Sequence, residues 1–64
     1  MKSEKQYKQA QVKVQEALSL LKTRLEQHEM NFKKDPKNYG YAGDLNYVSE
    51  KMQQLNEYLK YVEI

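Results

Sequence analysis

Apolar residues recur along the first half of the chain at Tyr7, Ala10, Val14, Ala17, Leu18, Leu21, Leu25 and Phe32, and His28 fills the one gap in that series. At about 100° per residue these positions share one stripe, which is the mark of an amphipathic helix. No Gly or Pro interrupts residues 4 to 34, and the intervening positions are rich in Gln, Glu, Lys and Ala, all good helix formers. Ser3 and Gln6 are placed to form a capping box at the start. Lys33 and Lys34 suit the negative end of the helix dipole, and Pro36 opposes continuation. The pattern predicts a first helix over about 3–34.

The second half has a tighter pattern. Tyr41, Leu45, Val48, Met52, Leu55, Leu59 and Val62 are spaced alternately by four and three residues, an unbroken heptad seam. A second helix over about 39–62 follows, with Asn38 as its N-cap and a turn at about 35–38. Asp44 is the rival cap by residue type. That choice would leave Tyr41 outside the helix and lengthen the break between the two elements.

Short connections join antiparallel neighbours. Counted outward from the turn, the two stripes match layer by layer: Phe32 with Tyr41, His28 with Leu45, Leu25 with Val48, Leu21 with Met52, Leu18 with Leu55, Val14 with Leu59, and Ala10 with Tyr7 against Val62. The expected fold class is therefore all-α, an antiparallel two-helix hairpin forming a single domain over residues 1–64.

A hairpin gives each helix only one neighbour. Tyr47, Tyr58 and Tyr61 widen the apolar side of the second helix, while Val12, Leu20 and Met30 lie off the stripe of the first. Two such hairpins related by a twofold axis would close a four-helix bundle, so a homodimer is expected. Composition strengthens this expectation. Chains below roughly 70 residues usually need disulfides, a metal or self-association to be firmly stable. The 64 residues include no Cys and one His, which leaves self-association.

Charge is divided unevenly. Residues 1–34 carry eight Lys or Arg against four Glu, a net of +4, and residues 35–64 carry three Lys against five Asp or Glu, a net of −2. Pairing of the two halves is electrostatically favoured, although exposed ion pairs contribute little.

Catalytic chemistry is not expected. His28 would lie near Asp44, but Ser19 and Ser49 are turns away, and no Gly-rich oxyanion loop accompanies them. A satisfied stripe histidine is the simpler role for His28. Gly40 and Gly43 form no phosphate loop, since no GxxxxGK[ST] pattern exists. Neither a cofactor nor a metal is implied.

Binding is the better expectation. Tyr39, Gly40, Gly43, Asp44 and Tyr47 cluster where the second helix begins, and Tyr58 and Tyr61 extend the tyrosine surface. Small residues admit another backbone, and tyrosine is enriched at interface centres. Set against this, the entry into the second helix by itself accounts for Gly40 and Gly43, with Tyr39 packing on Phe32, and this plainer reading is slightly favoured. The expected function is a small non-catalytic adaptor, regulator or inhibitor that binds a larger, unidentified protein. A nucleic-acid-binding dimer is the alternative. It would use Lys5, Lys8, Lys13, Lys33 and Lys34 with the neighbouring glutamines, but Glu4, Glu16, Glu26 and Glu29 interrupt that surface. A purely structural oligomer is the third possibility.

No apolar run approaches the length of a membrane span, and "MKSEKQYKQAQ" lacks the apolar core of a signal peptide. The expectation is a cytoplasmic protein, complete from Met1, of the size of a bacterial, plasmid or phage accessory product.

Overall fold

The computed structural model describes residues 2–62. Two α-helices make up its regular structure, α1 (Lys2–Lys34, 33 residues) and α2 (Gly40–Val62, 23 residues), with no strand among the described residues. The fold class is all-α. The chain divides into two compact units between Lys34 and Asp35, and each has its own local logic.

In α1, helix begins one residue before Ser3, so this serine lies in the first turn and does not cap it as the SEKQ pattern led one to expect. The physical reason is that the first N–H groups of an exposed helix are satisfied by water as readily as by a side chain, so a capping box is optional there. Two Glu-to-Lys pairs brace the ends: Glu4 with Lys8 at 3.8 Å and Glu29 with Lys33 at 3.3 Å, both at i,i+4 with the acid on the N-terminal side. This is the favoured orientation, although such exposed pairs contribute only about 0.3–0.5 kcal/mol each. Thr23 Oγ1 donates back to the Ser19 carbonyl at 3.2 Å, and Gln27 Nε2 donates to Asn31 Oδ1 at 3.1 Å.

The unit that follows opens on a tight turn. The Asn38 N–H donates to the Asp35 carbonyl at 3.2 Å, closing a four-residue turn with Pro36 and Lys37 at its centre. No described non-glycine residue has a positive φ, so Lys37 takes the type I conformation, for which Asp at the first position and Pro at the second are preferred. Asn38 then turns the chain into α2. Its Oδ1 accepts the Gly40 N–H at 2.9 Å and its carbonyl accepts the Tyr41 N–H at 3.4 Å. The side-chain bond satisfies a donor that the first turn leaves without an intrahelical partner. Asp44 lies a full turn inside α2.

The two glycines differ in their surroundings. A Cβ placed on Gly40 would stand 3.0 Å from Asn38 Oδ1, close enough to push the capping oxygen aside, whereas one on Gly43 would meet nothing within 4 Å. Neither has a positive φ. Gly40 is tied to the cap, and Gly43 is required by nothing within its own unit.

No described residue is buried. The least exposed are half-buried: Leu21, Leu25 and His28 in α1, and Tyr41 and Val48 in α2. All five belong to the apolar stripes.

Substitution at the start of α2 should therefore separate these local effects. Gly43→Ala should stabilise α2 by about 1 kcal/mol, because alanine is the better helix former by that amount. Gly40→Ala should gain less or nothing, since its methyl group displaces the cap. Asn38→Ala should cost about 1 kcal/mol. Circular dichroism during thermal unfolding would rank the three; equal gains at both glycines would mean that the cap is of no consequence.

Candidate functional site

Among the described residues, no group of three or more His, Asp or Glu is arranged to hold a metal ion, and no helix is long and apolar enough to cross a membrane. The surface features are aromatic and cationic, and each belongs to one helix.

On α2, three tyrosines are well exposed, Tyr47 and Tyr58 at 63% each and Tyr61 at 77%, while Tyr41 is half-buried. Tyr39, just before the helix, is the most open at 92%. Gly40, Asp44, Tyr47, Lys51, Gln54, Tyr58 and Tyr61 repeat the alternation of four and three residues found in the apolar seam, shifted back by one position. α2 thus carries two parallel lines, one aliphatic and one of tyrosine mixed with polar groups. On the second line the Lys51 ammonium sits 5.3 Å from the centre of the Tyr47 ring, within range for a cation–π contact. Lys51 and Gln54 belong to this line and were not among the expected binding residues. The signal for them was present as the same heptad spacing read one residue earlier.

The expected binding residues therefore fall into separate groups. Gly43 and Tyr61 share one angular position on α2, and Gly40 and Tyr58 share another roughly 60° away at about 100° per residue. Tyr47 lies between them. Asp44 follows on the seam side, and Tyr39 stands before the helix.

The lysines of the nucleic-acid alternative are not brought together. Lys5 and Lys8 are separated from Lys33 and Lys34 by roughly 40 Å of helix at about 1.5 Å per residue. Around the axis, the expected set of Lys5, Lys8, Lys13, Lys33 and Lys34 spreads over roughly 160°. Lys8 and Lys33 are also paired with Glu4 and Glu29. The cations concentrated on one edge are a different set: Lys2, Lys13 and Arg24, spaced by eleven residues. Three helical turns take almost eleven residues, so the three fall within roughly 40° of each other, on the flank of the stripe opposite the Glu–Lys pairs.

Comparison with models of known protein families, with curated protein sequences and with solved structures finds no match to this chain. The site stands on its own geometry.

The tyrosines differ in openness, and nitration with tetranitromethane should report it. Tyr39 should react first and Tyr41, the half-buried one, last. Peptide mapping of a partially nitrated sample gives the order; early reaction at Tyr41 would contradict the exposure described here.

Proposed function

We propose that the protein is a small non-catalytic binding module that works as a homodimer, acting on a larger protein through its helical surface. In this reading each chain folds back as an antiparallel hairpin, and two hairpins complete a four-helix bundle. The observation that carries it is the openness of both apolar stripes. Leu18 is 52% exposed and Leu55 63%, and neither helix contains a buried residue. Continuous apolar surface of this kind marks an interaction site in a stable protein. Each buried Leu, Val or Phe would contribute roughly 1.5–3 kcal/mol. A chain whose side chains are nearly all wet has little else to stabilise it.

Gly43 supports a contact role for the start of α2. The local backbone does not need a glycine there, and its open side would admit another chain. The alternative reading, a nucleic-acid-binding dimer, is weakened by the scatter of its lysines and by the engagement of Lys8 and Lys33 with carboxylates.

Sedimentation of the purified chain across micromolar concentrations is the direct test. A species of twice the 7.7 kDa monomer is expected, and its formation should coincide with a rise in helicity. A monomer at every concentration would remove the bundle. For the partner, Gly43→Leu should abolish capture of a target bound by the unaltered chain while α2 stays helical. Binding to RNA or DNA that falls steeply with added salt would favour the alternative instead. A dimer showing neither behaviour would be purely structural.

A further inference from the structure

We propose that the dimer is held in register by a ladder of unlike groups, in which Lys13 and Arg24 of one copy dock on Tyr58 and Tyr47 of the second. This inference rests on the homodimer proposed above and specifies which faces meet. It starts from two equal spacings. Lys13 and Arg24 are eleven residues apart on α1, and Tyr47 and Tyr58 are eleven residues apart on α2. At about 1.5 Å per residue both intervals span roughly 16 Å along their axes. An antiparallel approach therefore sets Arg24 on Tyr47 and Lys13 on Tyr58 at the same time.

The chemistry of the two edges is complementary. The α1 edge holds Lys2, Gln6, Lys13, Ala17, Leu20, Arg24 and Asn31 and no carboxylate. Lys13 and Arg24 form no ion pair among the described residues, whereas Lys8 and Lys33 on the opposite flank do. The α2 edge combines Tyr47, Lys51, Tyr58 and Tyr61 with Glu50 and Glu57, two carboxylates against one ammonium. In the antiparallel register, Glu50 lies one turn from the tyrosine that meets Arg24, and Glu57 lies one turn from Tyr61 on the outer side of the same edge. Lys51 at 5.3 Å from the Tyr47 ring shows that a ring on this line accepts a cation.

The occupant is a second copy because of where the edges lie. Each is centred roughly 80–130° around its helix from the middle of the apolar stripe, at about 100° per residue. A helix that covers the stripe leaves the edge uncovered, so the edge requires another neighbour. Two copies related by a twofold axis supply it reciprocally, the α1 edge of each meeting the α2 edge of the other. Halves of net +4 and −2 favour that cross-pairing over α1 with α1.

Charge exchange tests it. One chain carries Lys13→Glu with Arg24→Glu, and the other carries Glu50→Lys with Glu57→Lys. Each alone should dimerise at least about tenfold more weakly than the unaltered chain, since like charges then face each other. An equimolar mixture should recover the unaltered dissociation constant, with native mass spectrometry showing the mixed dimer. Separately, Tyr47→Phe with Tyr58→Phe should keep the dimer, because the ring face remains, and Leu at both positions should weaken it. If the unaltered chain dimerises and both charge variants dimerise as well as it does, or the mixture fails to recover, the ladder is wrong while the dimer stands. If the unaltered chain is a monomer, both proposals fail together.

Discussion

Apolar side chains on a helix stay in water unless another surface covers them, and this constraint governs everything else in the protein. Both helices carry continuous apolar stripes, yet no described residue is buried and only five are even half-buried. A helix of 33 residues draws something from intrinsic propensity and from its i,i+4 pairs, but each of those terms is a few tenths of a kcal/mol. Apolar burial is an order of magnitude larger once a stripe of eight or nine residues is covered. Whether the helices stay wet or enter a packed assembly is therefore set by what the stripes meet.

The segment between the helices acts by a different physics. Proline at the second turn position ends α1's hydrogen-bond ladder, a type I turn follows, and Asn38 restarts helix by supplying an acceptor to Gly40. Here a few polar atoms at short range decide the backbone path, independently of any core. Gly40 belongs to this device because a side chain there would crowd the capping oxygen. Gly43, three residues on, does not. Two glycines that look alike in the sequence thus have different reasons for their presence, and only the second is open to a role in binding.

The surface shows a similar division of labour. One flank of α1 mixes acids and bases and satisfies them locally, as Glu4 with Lys8 and Glu29 with Lys33 show. The other flank is cationic without compensation along its edge. α2 answers with a line of tyrosines displaced by one residue from its aliphatic seam, so each helix carries two chemically distinct faces. A chain with two faces per helix has the means to meet more than one neighbour, as the proposed bundle requires.

The existence and type of both helices were legible in the sequence, because a stripe repeating every three to four residues is a local property that needs no partner to be recognised. The stop at Pro36 and the restart at Asn38 were legible for the same reason. The tyrosine line of α2 was legible only in part: the tyrosines stand out by their number, but Lys51 and Gln54 do not, because polar residues in a heptad line look like ordinary solvated positions. Ser3 was misjudged as a cap because a capping pattern states what a residue is able to do, and water competes for the same N–H groups. Which lysines are neutralised by a carboxylate, which glycine crowds a cap, and how open each tyrosine stands were decided only by the folded backbone. Those properties depend on distances of a few ångströms in three dimensions, and the order of residues along the chain does not set them.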